Sequence, residues 1–361
     1  MTRPGWQAWF LGLALATGAS GSAAQVSTRL NLYTSYTDNL FQNYSRRPDW
    51  VTLAYVNLDY APGSALGLYY TGNANVFAEY GELFSHHHQA GLEYTWADEA
   101  GREVRAGGDA ALRLDRPSYE YQDYLEGQAY FRARAYLGPA LLSRAGYQLR
   151  YRRYPHAAEY TFAEQVLSVQ VSRSLPSRTT LQAYGELGLK SYVDGSAPGT
   201  ADPAQIVLRV KLAQSLADAV GLQTEYANRT NLAGPGRSID AQAYDPDEDL
   251  FGDRYSYAGH EFRVATKYLD NSTRVEIGGQ YARRRYPGRP ALDLEGALLG
   301  AMRKDGRRGL SAEAERTFPL AGGFLQEVRL HLEWFYLDVD SNDPYYQSST
   351  QVYSAGVQLG L

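Results

Sequence analysis

Apolar and polar residues alternate along most of this chain with a period of two. From Val104 to Leu114 the even positions read Val104, Ala106, Gly108, Ala110, Leu112 and Leu114, while the odd ones include Arg105, Asp109 and Arg113. Leu125 to Leu137 repeats the pattern: Leu125, Gly127, Ala129, Phe131, Ala133, Ala135 and Leu137 alternate with Glu126, Gln128, Tyr130, Arg132, Arg134 and Tyr136. A strand points successive side chains to opposite faces, so each segment has one apolar and one largely polar face. Many segments of about ten residues, separated by turn residues, predict an all-β fold: a transmembrane up-and-down antiparallel β-barrel.

Counting such segments from Val26–Phe41 to Thr350–Leu361 predicts about sixteen strands, within a range of roughly fourteen to eighteen. The connections alternate in length. Ala61–Ser64, Ala97–Ala100, Gly138–Pro139, Leu175–Ser177, Leu216–Ala219, Leu269–Ser272 and Pro319–Gly323 are short. Longer, polar, often tyrosine-bearing stretches lie between them. Bacterial barrels have short periplasmic turns and longer outer loops, so this rhythm puts both termini in the periplasm. Arg285 to Arg308 is ambiguous. It could form an extra strand or hairpin, or a structured loop folding into the lumen; a single extra strand would break the even count, so a long loop is the preferred expectation.

The first 24 residues differ from the rest. Arg3 supplies a positive charge, Trp6 to Ala16 an apolar run too short for an anchor, and Ser22-Ala23-Ala24 a small-x-small cleavage site. Residues 1–24 are therefore expected to be a cleaved signal peptide, and 25–361 the barrel. After Ala24 no apolar run approaches the roughly 20 residues of a spanning helix. A first strand starting almost at the cleavage site leaves no room for a plug of the kind active siderophore transporters carry.

The composition agrees. A barrel buries only alternate residues in lipid, which suits a polar average, and 31 tyrosines among 361 residues suit aromatic girdles. With no cysteine, thiolate catalysis and cysteine metal sites are excluded. A net charge of -5 gives no footprint for nucleic acid.

Tyr353, Ala355, Val357, Leu359 and Leu361 alternate up to the last residue. This resembles the C-terminal signal that outer-membrane barrels present to the barrel assembly machinery, with Leu361 where that signal usually has an aromatic residue. Tyr353, Val357, Leu359 and Leu361 are its candidate elements. Ser35-Tyr36-Thr37-Asp38-Asn39-Leu40-Phe41 resembles the Tyr-x-Asx-Asn-apolar-Phe segment that closes the first strand of poorly characterised outer-membrane barrels, some from polysaccharide-secretion systems. Ser341-Asn342-Asp343-Pro344-Tyr345 resembles their last outer loop.

If the apolar register faces lipid, the other faces the lumen. That places Arg105, Arg113, Arg132, Arg134, Arg144, Arg150, Arg152, Lys190, Arg209 and Lys211 inside, with Glu313, Glu315, Glu327 and Glu333 on two late strands. A basic wall facing an acidic one would set a transverse field that orients polar solutes. The same charges could instead pair and fill the interior. Inward Tyr124, Tyr130, Tyr136 and Tyr184 could narrow it.

Other candidates are weaker. His86 and His88 could share one strand face, but no third metal ligand is fixed, so a solvated cluster at the rim is expected. His156, His260 and His331 read as ordinary barrel or loop residues. The loop Leu232–Ser256 holds Asp240, Asp245, Asp247, Glu248, Asp249 and Asp253 without calcium-loop spacing, and reads as solvated or bridged to lipopolysaccharide by divalent cations. No nucleophile motif is present.

The expected function is a passive outer-membrane pore for polar or anionic solutes or an exported polysaccharide, needing no cofactor. Expected partners are the lipid bilayer with lipopolysaccharide, the barrel assembly machinery and, for polymer export, a periplasmic protein. The alternative is a non-conducting barrel that anchors or assembles a surface structure; an outer-membrane enzyme is the third choice.

Overall fold

The computed structural model describes residues 25–193, 201–237, 253–320 and 323–361. The segment read as a cleaved leader and most of the acidic loop, residues 238–252, lie outside the described residues. The strands are β1 (Gln25–Thr37), β2 (Asp49–Ala61), β3 (Leu66–Phe77), β4 (Ser85–Ala97), β5 (Glu103–Asp115), β6 (Tyr124–Gly138), β7 (Leu141–Arg153) and β8 (Phe162–Leu175). They continue as β9 (Thr179–Tyr192), β10 (Ala204–Ser215), β11 (Val220–Ala233), β12 (Ala258–Leu269), β13 (Thr273–Leu292), β14 (Leu298–Pro319), β15 (Glu327–Ser341) and β16 (Ser348–Gly360). Each pairs antiparallel with its chain neighbours, and β1 pairs with β16 to close the barrel.

Closure removes both sheet edges, so the backbone groups of the wall bond within it. The apolar register faces outward. Leu32, Leu92, Phe131, Leu149, Leu208, Ile277 and Leu332 are all exposed there, as a lipid-facing band requires. The short connections gather at one end and the long ones at the other, called the outer end below.

Two expectations need correction. The first strand ends at Thr37, and Asp38 to Phe41 belongs to a loop whose Leu40 packs with Val51, Phe77 and Leu83. The Arg285–Arg308 stretch is not a loop. It prolongs β13 and β14 into a hairpin that turns at 293–297, with Leu292 paired to Leu298. Pro287 and Pro290 fit within it because, among the described residues, this part of β13 pairs with β14 alone, where a missing N–H is tolerated. The strand count therefore stays even.

The two motif segments meet at the closure seam. Buried Asn39 donates from Nδ2 to the carbonyls of Asn43 (2.8 Å) and Ser349 (3.3 Å), and Asp38 accepts from the Gln351 amide (2.6 Å). The Tyr44 and Tyr345 rings touch at 5.7 Å between centroids. Asp343 accepts from the amides of Tyr345 (3.1 Å) and Leu292 (3.2 Å), tying the last outer loop to the long hairpin. These segments clasp the outer end where the chain's two ends join.

Candidate functional site

The pairing registers fix which side chains line the interior. Arg105, Arg113, Arg132, Arg134, Arg144, Arg150, Arg152, Lys190, Arg209 and Lys211 all occupy the inward register, as do Glu313, Glu315, Glu327 and Glu333. Tyr124, Tyr130, Tyr136 and Tyr184 share it.

Most of the cations have a carboxylate on the same or an adjacent strand. Arg105 pairs with Glu103 at 2.6 Å and Glu93 at 3.2 Å, Arg113 with Asp115 at 2.9 Å, and Arg134 with Glu103 at 3.9 Å. Arg150 and Arg152 bind Glu164 and Glu126, each at 2.6 Å, and Arg209 binds Glu225 at 3.2 Å. The wall is therefore not divided simply into a basic and an acidic side. Glu93, Glu103, Glu126, Glu164 and Glu225 were missed as partners, although the same alternation that placed the arginines inward places them inward too. Arg132, Arg144 and Lys211 make no ion pair among the described residues, and Arg132 and Arg144 are exposed to the lumen. Arg132 lies over the Tyr130 ring, 4.5 Å from its centroid.

A second structure narrows the interior. The end of the β11–β12 connection, residues 253–257, turns inward against the outer halves of β8 to β10. Asp253 and Lys190 form a fully buried pair at 2.9 Å, and Tyr192 also donates to Asp253 at 3.2 Å. The acidic-loop expectation is thus corrected at Asp253, which is an internal anchor and not a solvated acid. Arg254 binds Glu164 at 2.8 Å and Glu186 at 2.7 Å, and Tyr255 donates to Glu164 at 2.8 Å. Burial opposes the Arg254 charge, but Glu164, Tyr255 and Glu186 outweigh it and raise its pKa further. Burial, then the Glu164 charge, raises the Tyr255 phenol, which stays a proton donor. Gly188 makes the close approach possible: a Cβ there would collide with the Tyr255 hydroxyl. At the outer ends of β6 to β9, beside this anchor, Tyr124, Tyr154, Phe162 and Tyr192 form an aromatic cluster. A recess of about 210 Å³ lies along β11 to β15, its polar lining including Glu225, Arg263, Glu276, Gln280 and Ser311.

The histidines also find their places. His86 and His88 lie within β4 and face outward, Nδ1 of His86 being 3.0 Å from Nε2 of His88, and His88 meets the Tyr70 hydroxyl at 2.7 Å. His331, read as ordinary, stands with Glu313 and Glu315 in a group whose ligand atoms lie within 4.8 Å of one another. Arg274 approaches Glu313 at 3.8 Å and Arg329 approaches Glu315 at 3.6 Å, so these acids already have cationic neighbours. The grouping joins two strands, and only their register shows it.

The fold and lining define a sixteen-stranded, membrane-spanning type of barrel with a charged, tyrosine-rich interior. No protein-family model matches the sequence, and no curated protein matches it. Solved structures do resemble it in fold. OccD3 (OpdP) of Pseudomonas aeruginosa superposes with a TM-score of 0.51 at 11% identity, over 95% of this chain and 93% of that one. The outer membrane protein OpdK from Pseudomonas aeruginosa gives 0.51 at 13% identity, over 93% and 99%. OpdK has also been solved with vanillate, giving 0.50 at 12% identity.

Proposed function

We propose that this chain forms a passive pore of the bacterial outer membrane for small polar solutes, with a preference for anions. The observation that carries the reading is the inner wall. It stays polar along the strands, and Arg132 and Arg144 stand exposed in it without ion pairs. Cations in a narrow, low-dielectric channel attract and orient anions. The likeness to barrels such as OpdK, one of them solved with a carboxylate, supports the same reading and favours a channel over an enzyme. An exported polysaccharide is the alternative cargo, and it would require a periplasmic partner. Outward Tyr353, Val357 and Leu359 on β16, with Leu361 directly after it, suit recognition by the barrel assembly machinery.

The test is single-channel conductance of the refolded protein in a planar bilayer under a salt gradient. Stable steps with a reversal potential on the anion side are expected. A folded but silent barrel would overturn the pore. The second reading, a non-conducting anchor, would then stand, and the inward packing of residues 253–257 is the observation that favours it.

A further inference from the structure

The outward face of the barrel is almost free of charge. On β1 to β6 its register carries no Asp, Glu, Lys or Arg at all. On β13 and β14 the pattern breaks. Arg283, Arg285, Lys304 and Arg308 all point outward, all are exposed, and all lie at the outer end. Arg285 stands opposite Lys304, Arg283 opposite Gly306, and Arg308 opposite Tyr281. His260 of β12 pairs with Arg283 on the other side.

Gly306 is the floor of this group. Lys304 and Arg308 flank it on its own strand, two positions away on either side. A Cβ there would meet only the Asp340 carbonyl, at 3.8 Å, so the space above it is open. Like charges on directly opposite positions, roughly 5 Å apart, repel and destabilise a sheet. None of the four cations forms an ion pair among the described residues; Arg283 donates instead to the Tyr281 hydroxyl at 2.6 Å. On the β15 side Asp338 stands opposite Arg308 and Asp340 opposite Gly306, so four cations face two carboxylates and the group keeps a cationic excess centred on Arg283, Arg285 and Lys304.

The depth is informative too. Tyr281 and Phe262 share the row of Arg308, and Ile277, Leu310 and Leu332 continue below it as exposed apolar surface. Acyl chains would lie on that surface, with their head groups level with the cations. Guanidinium groups match phosphate in a bidentate geometry. We propose that the cradle around Gly306 binds the phosphorylated head group of an outer-leaflet glycolipid, with Arg283, Arg285, Lys304 and Arg308 holding the phosphate and the apolar band holding the acyl chains. This rests on the barrel spanning the outer membrane, and it holds whether or not the lumen conducts.

The experiment is native mass spectrometry of the folded protein released from detergent after mixing with diphosphorylated lipid A. Parallel arms use the same glycolipid stripped of phosphate, and inorganic phosphate alone. Retained lipid A is expected for the wild type, at least tenfold more than for the stripped form. Combined Arg283→Gln, Lys304→Gln and Arg308→Gln should lower retention about tenfold. Combined Arg153→Gln and Arg173→Gln, at outward arginines on other strands, should not. Heat-modifiable gel migration reports folding; if the triple variant misfolds, Arg308→Gln alone and the stripped-lipid arm decide. Equal retention by the folded variant, or equal binding of the stripped lipid, would overturn the proposal. So would inorganic phosphate binding as well as the lipid. A silent channel that still retains lipid A would overturn the pore and leave this site standing.

Discussion

Replacing Lys190 with Met tests the internal anchor most directly. Lys190 and Asp253 are 1% and 0% exposed and 2.9 Å apart. Removing one partner of such a pair strands the other charge in a dry site, at a cost of about 3–5 kcal/mol. The barrel need not bear this cost, because the strand ladder of β9 is unaffected. The inturned segment can release it by leaving the wall and rehydrating Asp253. At ~1.4 kcal/mol per tenfold, the ratio of docked to undocked segment should fall by roughly two to three and a half orders of magnitude. Arg254 and Tyr255 oppose the release with charge-assisted hydrogen bonds to Glu164 and Glu186, each contributing ~1.5–3 kcal/mol. Two assays read the outcome: conductance in planar bilayers, which should rise, and proteolysis of the β11–β12 connection, which should quicken. The Lys190→Met, Asp253→Leu double variant should return most of the way, since an apolar pair is tolerated where a lone charge is not. If Lys190→Met leaves both readouts at wild-type values while folding normally, residues 253–257 are not held as argued.

Further outcomes follow from the same geometry. Arg144→Glu, at an exposed and unpaired position, should shift reversal potentials toward cations, whereas Arg150→Glu sets its new carboxylate against Glu164 and should cost folding yield first, measured by heat-modifiable gel migration. Gly188→Ala should open conductance by displacing Tyr255, with the barrel intact by circular dichroism. Asn39→Ala removes buried hydrogen bonds at the seam and should lower unfolding stability by on the order of 2 kcal/mol in urea titrations. Asp270, in the β12–β13 turn, has its pKa lowered by the amides of Ser272 and Thr273. A depressed carboxylate contributes stability above its unfolded pKa and loses it as pH falls through the folded one. The stability difference between wild type and Asp270→Ala should therefore be flat at neutral pH and shrink on acidification below the ordinary carboxylate range.

Much of the wall was legible because a two-residue period needs no knowledge of neighbours. Val104 to Leu114 and Leu125 to Leu137 assign their own faces, and the Pro, Gly and Asp clusters mark the seven short turns. Three things were not legible. Ion pairing depends on register, so Arg150 could be placed inward without knowing that Glu164 stands opposite. The long hairpin contains Pro287, Gly288 and Pro290, which punctuate a sequence as a loop does, and only its pairing with β14 keeps it extended. The role of Asp253 depends on where its loop folds, since in composition it matches the acids that precede it.

The seam between β1 and β16 also sets an order of events. Ser35 meets Ser354 through a 2.7 Å hydrogen bond across 319 positions of chain. No earlier segment can substitute for that partner. Until the last strand arrives, β1 presents a bare row of amides and carbonyls, the template on which strands from other molecules add. Such long-range pairings are slow to form, and exposed edges aggregate meanwhile. The same closure that makes the finished wall inert leaves the chain with an open, aggregation-prone edge for as long as the seam is unmade.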